Sequence, residues 1–166
     1  MQDSLERLFQ FKAWADDTLL AALAKIGHRA PVTDLAIKAL SHAYVVDRIF
    51  AAHLRGERHG YQSANLEELP TLEQLSRDIR ASDEEYVDYV ANLGPTELAE
   101  TVDFAFTDGA PGRMSREEML LHVITHGVGH RGQVSALLLL NGLPTAADGF
   151  TTYLHQAEPA ARRRAA

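Results

Sequence analysis

Apolar residues recur at three- and four-residue steps through four long segments of this chain, and a helix stop follows each one. That period is the mark of amphipathic helices, and it limits the fold more than any other feature of the sequence. The first segment runs from about Asp3 to Ile26, with Leu5, Leu8, Phe9, Ala15, Leu19, Leu20 and Leu23 in register. Asp3 or Ser4 can cap it, Gly27 sits where a helix ends, and His28 to Pro31 reads as the turn. The second runs from about Thr33 to Leu54, with Thr33 or Asp34 as cap and Gly56 beyond its end. Its residues Leu35, Ala39, His42, Val46, Ile49 and His53 alternate at steps of four and three, a stripe expected to look into a bundle. The third, about Thr71 to Leu93, opens on a Thr71–Gln74 capping box and stops at Gly94–Pro95. The fourth, about Ser115 to Leu140, opens on Ser115 with Glu118 and stops at Asn141–Gly142, with Pro144 beyond.

Between these segments lie two different connections. Arg55 to Pro70 is polar and carries too few periodic apolar residues to pack as an element, so it reads as a long connection. Val102, Phe104 and Phe106 alternate with Asp103 and Ala105 before an Asp108–Gly109 turn, which predicts a short strand or hairpin-like loop. A short final helix is expected over Gly149 to Gln156. The expected fold is therefore all-α: a four-helix bundle with one long connection and a short extended loop before the last long helix. The long links permit parallel neighbours. At 166 residues the chain is expected to be a single domain, 1–166, with no internal repeat.

Composition removes several functions. There is no cysteine, which excludes disulfides, thiolate metal sites and a cysteine nucleophile, so any tight metal site must use nitrogen and oxygen. The net charge of -7 speaks against a basic nucleic-acid surface. Arg162, Arg163 and Arg164 form the one basic run, read as a solvated tail. The opening MQDSLERLFQFKAWADD has no long apolar run and is not expected to be a signal peptide. The longest apolar run, Ala136 to Leu140, is too short to cross a bilayer. A cytoplasmic protein without membrane or nucleic-acid partners is the expectation.

Histidines carry the chemistry. Three of them, His122, His126 and His130, recur at steps of four on the fourth segment. Residues four apart on a helix have neighbouring Cβ atoms about 5–6 Å apart, so two adjacent imidazoles can reach one ion. His122 and His130 are about 12 Å apart along the axis and cannot share it. With His126 set at 0°, Met119, Val123, His130, Val134 and Leu137 fall between about 20° and 80°, and His122 at about -40°. His126 and His130 are thus the inward pair, and His42, on the stripe of the second segment, is the natural third ligand. His53 lies about 16 Å along the axis from His42, too far to join. The same three histidines could instead form an internal hydrogen-bond network without an ion.

The run HVITHGVGHRGQVSALLLLNGLP (His122 to Pro144) resembles the signature of the DinB (DinB/YfiT-like) family, a helix with spaced histidines before Arg-Gly-Gln and then a Leu-rich turn. FKAWADDTLLAAL (Phe11 to Leu23), LSHAYVVDRIFAAHLRGE (Leu40 to Glu57) and FTDGAPGRMSREEMLLHV resemble, in order, the family's first helix, its second-helix histidine segment and the loop into its last long helix. The resemblance covers nearly the whole chain. It implies an up-down-down-up bundle, often a homodimer, with nickel or zinc on three histidines that map to His42, His126 and His130. Many members carry two adjacent histidines before Arg-Gly-Gln; Gly129 replaces the first here.

Three neutral nitrogens leave a divalent ion at least one open position, the pattern of a catalytic rather than a closed site. Such an ion could activate a water or a thiol. By resemblance to relatives that use bacillithiol or mycothiol, the expected activity is transfer of a low-molecular-weight thiol to a small electrophilic substrate. The alternatives are a non-catalytic metal-binding stress-response protein and a metal-dependent hydrolase. His122 and Gln133 are candidates to support a ligand or touch substrate, and Trp14 and Tyr44 to line a pocket. Arg131 falls at about 140° on the wheel and is expected to point away, into a structural salt bridge or a dimer contact. Asp17 and Asp47 are candidate acids between which the sequence does not choose.

Overall fold

Thr71 and Ser115 begin their helices as their side chains predict. The Thr71 hydroxyl accepts from the Gln74 N–H at 3.2 Å while Gln74 Oε1 accepts from the Thr71 N–H at 3.0 Å. Ser115 and Glu118 repeat the arrangement at 3.1 and 2.7 Å. The computed structural model describes residues 2–29 and 31–162. In chain order the elements are α1 (Gln2–Ile26), α2 (Val32–Arg55), α3 (Leu72–Ala91), a short α4 (Pro95–Leu98), β1 (Thr101–Ala105), β2 (Pro111–Ser115), α5 (Arg116–Leu140), α6 (Phe150–Ala157) and a final 3-10 turn (Ala160–Arg162).

Two apolar clusters fix the directions of the long helices. One joins Leu5 and Phe9 of α1 to Phe50 and Leu54 of α2, Tyr86 and Val90 of α3, and Met119 and Val123 of α5. The other joins Leu19 and Leu23, Ala36 and Leu40, Leu75 and Ile79, and Val134 and Leu138. The start of α1 therefore shares a layer with the start of α5 and with the ends of α2 and α3. That is an up-down-down-up bundle. Because α2 and α3 run the same way, residues 56–71 must travel back along the bundle, which explains the long polar connection. β1 and β2 form an antiparallel hairpin with Val102 opposite Met114 and Phe104 opposite Gly112. Gly109, at φ 85°, supplies its turn.

A layer of charge separates the two clusters. Lys12 Nζ lies 2.9 Å from Asp16, 2.8 Å from Asp47 and 2.5 Å from Asp83, and all four side chains are buried. Arg131 reaches Asp16 and Asp148, each at 3.1 Å, and is only 1% exposed. Gly127 of α5 faces this layer: a Cβ there would make ordinary contacts, 3.4 Å from Arg131 Nη1 and 3.5 Å from Lys12 Cε.

This layer corrects two expectations. On α2 the deeply buried stripe is Ala36, Leu40, Ala43, Asp47, Phe50 and Leu54. The stripe read from the sequence lies one residue, about 100°, to the side; Leu35 on it is 49% exposed and His42 is half-buried. On α5 the buried residues are Met119, Leu120, Val123, Ile124, Gly127, Arg131, Val134 and Leu138, so Met119, Val123 and Val134 of the expected face are buried and the face extends past them to Arg131. Arg131 does make a salt bridge, but it points into the core, not away from it. Thr33 does not cap α2 either: its hydroxyl accepts from the Arg29 N–H at 2.8 Å and donates to the Gly27 carbonyl at 3.2 Å. In the basic run, Arg162 pairs with Glu158 at 2.7 Å, while Arg163 and Arg164 lie outside the described residues, as does Ala30 of the first turn.

Candidate metal centre

Displacement of both histidine rows to the shoulders of their helices is what makes them meet. α2 packs beside α5 in the opposite direction, so His42 on one shoulder faces His126 and His130 on the other across the groove. Ring centroids are 5.2 Å apart for His42 and His126, 4.9 Å for His42 and His130, and 4.5 Å for His126 and His130. One ring nitrogen from each residue lies within 4.8 Å of the other two, so the group could hold a metal ion.

Hydrogen bonds decide which nitrogens face the shared space. His42 Nδ1–H donates to the Ala64 carbonyl at 3.2 Å. A carbonyl can only accept, so the proton is on Nδ1 and the lone pair on Nε2. His130 Nδ1–H donates to Gln133 Oε1 at 3.1 Å and again leaves Nε2 free. His126 Nε2 stands 3.2 Å from His130 Nε2, and its Nδ1 is buried without a partner among the described residues. Burial, with the charges of His130, His122, His42 and Lys12 behind it, pushes the His126 pKa down to about 4. Burial and His42 also lower His130, against the Gln133 hydrogen bond. His126 and His130 are therefore neutral near pH 7, the form a metal requires.

The donor set fits a divalent ion. Two nitrogens at about 2.0–2.1 Å on one tetrahedral ion stand roughly 3.3–3.4 Å apart. The 3.2 Å between His126 and His130 matches that separation. The Ala64 carbonyl and Gln133 occupy the outer positions that orient ligating imidazoles. Gln133→Ala is accordingly expected to weaken metal binding by about 10–100-fold while leaving the fold intact, read by competition with a chromogenic chelator.

Two cavities border the histidines. One, about 460 Å³, is lined by His42 and His130 with Lys38, Asn65 and Gln133. The other, about 320 Å³, lies between α2, the hairpin and α5 and includes His122 and His126. His122 stacks on Phe50 at 4.6 Å, with its ring 5.4 Å from His126. The other candidates lie elsewhere. Trp14 packs on Phe11 and Tyr153, against α6, and borders neither cavity. Tyr44 packs with the Leu19–Leu138 cluster beside Tyr61, and burial first, then Tyr61 and Asp78, push its pKa to about 12. His53, in the last turn of α2, stands against His59 and Phe104. Asp17 pairs with Arg80 on the surface at 2.7 Å, whereas Asp47 belongs to the buried charge layer. Sequence reasoning missed Ala64, Asn65 and Lys38. Ala64 acts through its carbonyl and leaves no side-chain signal.

Fold and site together define a helical bundle with a three-histidine centre in the groove between antiparallel helices. The DinB family model matches residues 1–164, and the chain belongs to the DinB family. It is similar in fold to the crystal structure of a DinB-like protein from Bacillus cereus ATCC 10987, with a TM-score of 0.60 and 16% identity over 87% of this chain and 95% of that one. No curated protein matches it. Among the described residues no helix is long and apolar enough to cross a membrane.

Proposed function

We propose that this chain is a metal-dependent enzyme that holds one divalent ion, nickel or zinc, on His42, His126 and His130 and transfers a low-molecular-weight thiol to a small electrophile in the cytoplasm. The observation that carries the metal is the 3.2 Å separation of two imidazole nitrogens whose neighbour, His42, turns its own lone pair to the same space. When bound, a divalent ion supplies positive charge that lowers the pKa of a thiol or water beside it. The chain supplies the rest. Ala64 and Gln133 hold two of the imidazoles in one tautomer. Lys38, Asn65 and Gln133 line a groove suited to the carboxylate and amide groups of a small thiol. In the transfer, a sulfur–carbon bond forms, the leaving group departs with its bonding pair, and the thiol proton passes to solvent. A homodimer belongs to the same reading, supported by the exposed Leu121, Val128, Leu139 and Leu140 on α5.

Elemental analysis of the purified protein tests the first half, with one nickel or zinc per chain expected. The second half is tested with a chlorodinitrobenzene electrophile, whose consumption above the protein-free rate is expected only when a thiol is added. Turnover without thiol would make the protein a hydrolase instead. Stoichiometric metal without turnover over a panel of thiols and electrophiles would make it a binding protein.

A further inference from the structure

The cavity on the hairpin side of the histidines differs from the groove on the other side. Its wall is built by Val46, Ile49 and Phe50 of α2, Phe104 and Met114 of the hairpin, and Phe106 just past β1. The polar side chains that reach it are Thr107 and three histidines, and among the described residues no lysine, arginine, aspartate or glutamate lines it. The rings already pack on one another: Phe50 and His122 stack at 4.6 Å, His53 and Phe104 meet tilted at 4.8 Å, and Phe104 and Phe106 meet edge-on at 5.0 Å. Phe104 lies across Gly112, where a Cβ would come within 2.5 Å of its ring. A glycine at that register position therefore lets the ring lie flat on the hairpin as part of the wall. His126 closes the cavity on the side of the metal centre.

We propose that this chamber is the binding site for the electrophile, and that it takes a neutral substrate bearing a flat aromatic or compact apolar group, with its reacting atom directed toward His126. The inference rests on the metal reading for its chemistry and on the chamber's wall for its selectivity. An apolar group of this kind is favoured there in proportion to the area it removes from water. A charged group would lose its hydration with no counter-charge in the wall. Aromatic walls favour flat occupants, because rings gain further from offset or edge-on pairing. The groove with Lys38 is then left for the polar partner, so the two reactants approach the centre from opposite sides.

The test uses N-phenyl-1-naphthylamine, a neutral fluorophore, and 8-anilino-1-naphthalenesulfonate, which carries the same rings and a sulfonate. The neutral probe is expected to bind at one per chain, and the sulfonate about tenfold or more weakly. Met114→Trp, which fills the chamber, and Thr107→Trp, at its exposed rim, should each weaken the neutral probe by about tenfold or more without changing metal content. Leu139→Gln, which removes apolar surface elsewhere on α5, should leave it unchanged. With cobalt(II) loaded, the bound probe's proton signals should broaden. Probe binding that ignores both tryptophans and falls with Leu139→Gln would overturn the proposal, as would equal binding of the sulfonate or a bound probe that cobalt does not broaden. Failure of cobalt to load while the probe still binds in the chamber would sink the metal reading and leave the binding site supported.

Discussion

Lys12→Met is expected to destabilise the protein by about 3–5 kcal/mol, measured by urea unfolding near neutral pH. Folded proteins are typically stable by only about 5–15 kcal/mol, so the variant should lie close to its threshold. The cause is arithmetic of charge. Lys12 and Arg131 face Asp16, Asp47, Asp83 and Asp148, two cations against four carboxylates. Asp16 is buried, yet Lys12 and Arg131 together hold its pKa below the usual carboxylate range. Burial pushes Asp47 up to about 6 and Asp83 to about 7, with Lys12 pulling both back. Removing the ammonium leaves those two without a partner. The sign of the pH dependence follows. A carboxyl whose folded pKa is raised binds more protons folded than unfolded, so its contribution is present at low pH and lost as pH rises through the folded value. For the native protein that loss falls between about 4 and 7. In Lys12→Met it extends to higher pH, so the gap between variant and native protein should narrow on acidification. Asp83→Asn on top of Lys12→Met should recover part of the loss. A cost under about 1 kcal/mol, or one that does not change with pH, would show that the charge layer is not coupled as its distances imply.

The same layer explains what could be read from the sequence and what could not. Helix lengths and caps were legible because they depend on neighbours three or four residues apart, as at Thr71–Gln74 and Ser115–Glu118. The choice of core face was harder. On α2 two stripes one residue apart obey the same spacing, and the true one contains Asp47. A charged residue lowers the apparent quality of the stripe it sits in, so the histidine stripe looked better. Arg131 misleads in the same way on α5. The signal was nonetheless present: Lys12 and Asp16 also interrupt the apolar row of α1, and Asp83 that of α3. A charged residue in the middle of the row on all four long helices is the pattern of a buried ion layer rather than of four poor stripes. The histidine pairing was legible despite the slip, because both rows moved to facing shoulders. Ala64 was not, since the position of a carbonyl on a crossover loop depends on tertiary packing alone.

His126→Ala is expected to abolish stoichiometric metal binding, a loss well beyond the roughly 10–100-fold that follows removal of an outer hydrogen-bonding partner. His42→Ala and His130→Ala should do the same, because each residue contributes one of the three ring nitrogens that converge within 4.8 Å of one another. His122→Ala should leave the ion in place. Its ring is stacked on Phe50 and is not part of the three-residue group. Thermal unfolding gives a readout independent of turnover. An ion at a hundredfold excess over its Kd stabilises the folded state by about 2.7 kcal/mol, or roughly 5–11 °C for a chain of this length. That shift should appear in the native protein and in His122→Ala and vanish in the other three. Acidification sharpens the assignment. An imidazole whose folded pKa is depressed stays neutral below the ordinary value of about 6.5. His126, at about 4, therefore offers its lone pair through the window in which an exposed histidine is already protonated. Burial lowers His130 as well, so both rings keep their lone pairs at a pH where an exposed histidine has lost its own, and the loaded protein should release its ion only on acidification. A melting shift that survives in His126→Ala would place the ion somewhere other than between these three rings.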